Sequence, residues 1–416
     1  MAQNGTAPDP GAFDRMWADL APVGRDDDGG YRRFSWAGAD TDARAWFVQE
    51  AKARGLDVRT DCNGNLWAWW GAPGRGAVAT GSHLDSVPSG GAFDGPLGVV
   101  SALAAVDELR RRGVRPARPL AVVVFVEEEG GRFGVPCLGS RLSTGEISPE
   151  RARGLADADG TTWAAAMERA GLDPAGIGAD PGTLGLLDVF VELHVEQGRA
   201  LEDTPHAVGV GSSIWPHGRW RLDFTGRADH AGTTRLEDRG DPMPPFAHTI
   251  LAARAMAAEH GARATVAKAR IAPNGTNAIP SLVNAWLDAR AADEAALEAV
   301  VAGVRDAAER AAREHGVGVA VSAESRTPLV TFAEGLRDRL GAVVARGGPA
   351  VPVLPTGAGH DAGVLAAHVP TAMLYVRNPT GVSHSPHEWA RPDDCHAGVD
   401  ALADVLSDLL TGEAVR

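Results

Sequence analysis

The 416-residue sequence predicts an α/β fold, a larger domain with a mixed sheet flanked by helices and a smaller α/β domain inserted into it. Three observations carry that expectation. Short apolar runs alternate with helical patterns along most of the chain. From about Ser212 the pattern changes to half-exposed strands and long helices, and it reverts near Pro328. The length and the 44% apolar content are enough to fill two cores. The expected boundaries are 1–211 and 328–416 for the larger domain, with 212–327 as the insertion.

In chain order, AVATGSHLD (77–85) reads as a buried strand opening into a glycine-rich loop. PLGVVSALAAVDELRRRG follows as a helix, with Pro96 at its start and Gly113 after its basic end. PLAVVVFVEEEG, LLDVFVELHVEQG and VPTAMLYVRN read as three further strands. Residues 142–185, rich in Ala, Asp and Gly, read as surface helices and loops. Inside the insertion, RWRLDFTGRADHAG alternates like a half-exposed strand, FAHTILAARAMAAEHG is helical, NAWLDARA is a strand and DEAALEAVVAGVRDAAERAAREHG is a long helix.

A formal net charge of −14 argues against nucleic acid, which calls for a basic stripe. The densest basic run, RRRGVRPAR, lies at a helix end, where cations suit the dipole. Cys62, Cys137 and Cys395 are odd in number and widely spaced, which suits a reducing compartment and not a disulfide framework. The N-terminal residues lack a basic and apolar leader pattern, and no apolar run approaches the roughly 18 residues of a membrane span. A cytoplasmic protein without a membrane partner is expected.

The candidate chemistry lies at the strand ends. His83, the run Glu127-Glu128-Glu129 and His194 each follow or finish an apolar strand, and such ends converge on one crevice in an open α/β sheet. Asp94 from the glycine loop and His384 from GVSHSPHE add to the set. Charged groups beside three apolar strands are costly unless something pairs them. Imidazole and carboxylate without thiolate suit zinc, manganese or cobalt.

HLDSVPSGGAFDG, EEEGGRFG, ELHVEQG, DHAGTT, PNGTNAIP and GVSHSPHE, in this order and spacing, resemble the M20-type metallohydrolases. More narrowly, they are similar to the branch with N-carbamoyl-L-amino acid amidohydrolases, β-ureidopropionases and allantoate amidohydrolases. The likeness runs from about Phe13 to Leu410. It implies two divalent metal ions per chain, a small carboxylate-bearing ureido substrate, and a homodimer whose inserted domain serves as lid and dimerisation unit. By that resemblance His83, Asp94, Glu129, His194 and His384 bind the metals, with Asp94 bridging. Asp85 accepts the other ring N–H of His83, Glu128 is the general base, and Glu127 is left without a role as a solvated residue. His230 reaches the partner subunit's site to polarise the scissile carbonyl. Asn277 and Arg290 hold the substrate carboxylate, Gln197 contacts the substrate or supports the ligands, Gly359 contacts substrate, and His360 and Asp361 support the ligands.

The chain departs from the family pattern at three places. Ile214-Trp215-Pro216-His217 stands where the family often has Ile-Val-Gly-Gln, so His217 meets the ureido group in place of the glutamine. His387 follows Pro386 where an acid is common and competes with His384 as a ligand, with His384 preferred. Thr234-Arg235-Leu236 replaces a more usual Thr-Pro-Met.

Overall fold

The computed structural model describes residues 11–412. The chain divides into two compact units, one of Met1–Ser213 with Thr331–Arg416 and one of Ile214–Val330. These boundaries lie two or three residues beyond the expected 211/212 and 327/328.

The first unit is built on a nine-stranded mixed sheet. At its centre Leu66–Trp70, Leu120–Phe125, Ala77–His83, Leu187–Val195, Thr371–Val376 and Val208–Ile214 lie side by side in that order. Four of them run parallel: Leu120–Phe125 and Leu187–Val195 flank Ala77–His83, and Thr371–Val376 follows Leu187–Val195. Their residues are buried almost throughout, which explains why they read as continuous apolar runs and not as alternating ones. The helices Pro96–Arg111 and Pro392–Thr411 contribute long apolar faces to the same core.

Residues 142–185 depart from the surface reading. Trp163, Met167 and Ile177 pack with Phe133, Leu138, Leu142 and Ile147 into a buried cluster of their own. The Ala- and Gly-rich spacing hides this, because a few large side chains supply most of the buried area.

The second unit is a four-stranded antiparallel sheet in the order Gly318–Thr327, His217–Thr225, Leu282–Arg290, Arg263–Ala272. The two central strands alternate strictly. Trp220, Leu222, Phe224, Val283, Ala285 and Leu287 face a core shared with the helices Met243–Glu259 and Glu294–Glu314. The two edge strands were not anticipated, since they are mostly exposed and their apolar residues are mainly small and interrupted by charged or polar ones.

Candidate metal centre

Parallel pairing brings the candidate ligands of the first unit together. His83 ends its strand opposite Phe125, whose strand leads directly into Val126 and the three glutamates. His194 lies one residue before the end of its strand, opposite Tyr375. The carboxyl ends therefore coincide, and the loop from His83 to Gly95 folds back over them. Gly95 has φ 83°, and a Cβ there would lie 2.5 Å from the His83 ring, so only glycine fits.

Asp94 is the meeting point. Its Oδ1 lies 3.2 Å from His194 Nε2 and 3.6 Å from His83 Nε2, and its Oδ2 lies 3.3 Å from His384 Nε2. His384 Nε2 is also 3.3 Å from Glu129 Oε2. Two groups with metal-ligand geometry thus share Asp94: His83, Asp94 and His194, and Asp94, Glu129 and His384. Glu128 Oε2 faces His83 Nε2 at 3.7 Å.

The histidine tautomers follow from their other contacts. His83 Nδ1 lies 3.1 Å from the Asp85 carbonyl oxygen and His194 Nδ1 lies 2.9 Å from the Val195 carbonyl oxygen. A carbonyl only accepts, so both Nδ1 atoms carry a proton; in the neutral ring each Nε2 then keeps its lone pair, and that of His194 accepts the Gly95 N–H at 3.1 Å. His83 Nε2 is buried and has no hydrogen-bond partner. Imidazole lone pairs and carboxylates aimed at common points fit a divalent cation of the zinc, manganese or cobalt kind.

The electrostatics point the same way. Burial pushes Glu128 well above the usual carboxylate range, and although His83 opposes this, Asp361, Glu129 and Asp85 add to it. Burial also raises Glu127 to about 8, and Asp85 and Asp361 to about 7. Asp94 goes the other way: burial would raise it, but the nearby rings of His194, His384 and His83 hold it well below its ordinary value. Partial burial disfavours His384 as a cation, yet Asp94 and Glu129 lift it to about 11. So much carboxylate in one buried pocket is unfavourable without a cation to pair it.

Two expectations, for Asp85 and Glu127, are corrected in detail. The His83 ring bonds to the Asp85 carbonyl, while the Asp85 carboxylate, 3.7 Å from Nδ1, accepts the N–H groups of Glu128 and Glu129 at 3.1 Å each. Asp85 therefore sets the backbone of the acidic run. Glu127 is not solvated but fully buried, and its Oε1 accepts from the Arg132 and Phe133 N–H groups. Gln197 donates to Asp94 Oδ2 at 2.8 Å and to Ser383 Oγ at 3.1 Å. His360 packs its ring 4.5 Å from that of His194, and Asp361 takes a bond from Ser140. Gly359 lies in the exposed loop before them, and His387 is exposed and outside both groups.

Two residues escaped the sequence reading. Glu192 is fully buried, bonded by Ser82 Oγ and the Ala362 N–H, and it joins His194 and His360 in a third cluster. Strand periodicity carried that signal, because residues 192 and 194 share a sheet face. Glu388 accepts the Phe93 and Asp94 N–H groups at 2.9 Å each and a bond from Ser383 at 3.1 Å. Nothing local in the sequence signals a contact across nearly 300 positions.

The candidates of the second unit fall into two pairs. His230 and Asn277 are both exposed on a short ribbon, where His230 pairs with Ala278 and the Asn277 carbonyl accepts the Ala231 N–H. His217 and Arg290 are directly opposed on the sheet face away from the helices, with Arg290 bonded to Asp288 at 2.8 Å. His217 donates through Nδ1 to the Trp215 carbonyl at 2.9 Å.

The sequence profile of peptidase family M20/M25/M40 matches residues 79–408. The chain belongs to that family. Among M20 relatives, it is 34% identical to N-carbamoyl-L-amino acid amidohydrolase of Geobacillus stearothermophilus, over 96% of this chain and 99% of that one. It is 31% identical to allantoate amidohydrolase of Bacillus subtilis, over 94% and 95%. A hydantoinase/carbamoylase family amidase from Burkholderia vietnamiensis superposes with a TM-score of 0.88 at 31% identity, over 96% and 97%. The protein is an M20-type amidohydrolase acting on C–N bonds. Among the described residues no helix is long and apolar enough to cross a membrane.

Proposed function

We propose that the chain hydrolyses the ureido C–N bond of an N-carbamoyl-L-amino acid. The observation that carries this reading is the pair of ligand groups sharing Asp94, with the buried Glu128 carboxylate beside them. His83, Asp94 and His194 would hold one divalent ion, and Asp94, Glu129 and His384 the other, with zinc, manganese and cobalt as the candidates. Such ions supply Lewis acidity to the ureido carbonyl and make water a stronger acid.

The chain's own residues move the proton. Glu128 takes a proton from the attacking water as the C–O bond forms, then delivers it to the nitrogen as the C–N bond breaks. The amino acid leaves with that proton, and the remaining carbamate decomposes to carbon dioxide and ammonia. Arg290 and Asn277 hold the substrate carboxylate, since the arginine fork matches a carboxylate with two bonds. His217 and Gln197 contact the ureido end, Gly359 contributes its backbone, and His230 polarises the carbonyl from the partner subunit of a homodimer. The names of the relatives at 34% and 31% identity support this substrate class.

The test is ammonia release by manganese- or zinc-loaded enzyme over N-carbamoyl-L-amino acids, allantoate, ureidoglycolate and 3-ureidopropionate, with N-acetyl amino acids and dipeptides followed by amine release. Preference for one carbamoyl amino acid is expected. Allantoate as the best substrate would replace the first reading, and turnover of acyl or peptide controls alone would overturn the ureido assignment.

A further inference from the structure

The carboxylate assigned as the base is met by a residue nine positions further along. Cys137, Leu138 and Gly139 run against the acidic stretch, their N–H groups donating to the carbonyls of Glu128 (2.6 Å), Glu127 (3.0 Å) and Val126 (3.0 Å). Cys137 has φ 53°, a left-handed conformation that disfavours a side chain. From there its Sγ lies 3.2 Å from Glu128 Oε1. The other carboxylate oxygen, Oε2, is the one facing His83 Nε2 at 3.7 Å.

The three backbone bonds do not use the Cys137 side chain, and an alanine would remove the thiol without adding a branch at this left-handed position. The side-chain donor is what a thiol adds there. Burial pushes the Cys137 thiol pKa well up, so the group is S–H and donates to the carboxylate.

We propose that Cys137 is a positioning residue whose S–H occupies Glu128 Oε1, leaving Oε2 as the oxygen that takes and returns the proton. The inference rests on Glu128 being the base, and it concerns a contact specific to this chain's cysteine.

The experiment compares Cys137→Val, Cys137→Ala, Cys137→Ser and Glu128→Gln, with metal content and melting temperature measured for each. Removing the donor in Cys137→Val or Cys137→Ala should lower kcat about tenfold with KM and metal content unchanged, the scale of one bond to a carboxylate. Cys137→Ser keeps a donor and should recover most of that loss. A second readout needs no turnover: the infrared S–H stretch. One thiol band should lie at lowered frequency, disappear in Cys137→Ser, and shift upward in Glu128→Gln, where the acceptor is no longer charged. A wild-type kcat in Cys137→Val, or a thiol band indifferent to Glu128→Gln, overturns the proposal. Wild-type turnover in Glu128→Gln would instead overturn the base assignment, so the two failures are distinguishable.

Discussion

The two ligand groups that share Asp94 are built on different principles. His83 and His194 lie at the ends of paired central strands, are wholly buried, and have their tautomers set by carbonyl acceptors. His384 lies on a loop, with left-handed φ of 53° and half of its side chain exposed, and its partner Glu129 follows the strand end by four residues. One half is therefore set by the sheet and the other by loops. The difference teaches that the first half has its geometry before any ion arrives, whereas the second has room to rearrange.

The largest expected effect lies on the buried half. Glu128→Gln should retain metal and lose roughly 10²–10⁴-fold in kcat, the range of general acid–base catalysis. Steady-state kinetics with metal analysis decides it, and near-normal turnover would remove Glu128 from the reaction.

The next test sets the halves against each other. His83→Ala should leave a chain that keeps less than one ion after dialysis against a chelator, whereas His384→Ala should keep about one, at the strand-end group. Equal loss in both would break the comparison.

Asp85 joins the halves, because its two oxygens hold the N–H groups of Glu128 and Glu129. Asp85→Asn should weaken metal binding by about 10–100-fold, as removal of supporting groups around ligands commonly does. Titration with a competing chelator measures it, and unchanged affinity at both groups would make the carboxylate dispensable.

The smallest effect lies in the second unit. Burial would raise Asp288, but its bond with Arg290 outweighs this and holds it below the ordinary 3.8. A carboxyl lowered on folding contributes stability above pH 3.8, and that contribution fades as pH falls through its lower folded value. Asp288→Asn should therefore lower melting temperature slightly at neutral pH and progressively less as pH falls below 3.8. A shift of equal size at every pH would mean that charge plays no part.

Much of this molecule was legible along the chain. The buried parallel strands announced themselves as unbroken apolar runs, because residues covered on both sheet faces leave no polar alternation. The Asp-His-Glu set stood out because charge beside such runs is costly without a partner, and the spaced motifs pointed to the family. Tertiary structure decided the rest. It made Glu127 a buried acceptor, turned the Asp85 carboxylate from the imidazole to two backbone N–H groups, and brought Glu388 and Cys137 against Asp94 and Glu128. The edge strands of the second unit and the core within residues 142–185 were likewise invisible in advance. The physical reason is common to all of them. Periodicity and composition report which residues must leave water, whereas hydrogen-bond partners are chosen by loops that meet only after the sheet has formed.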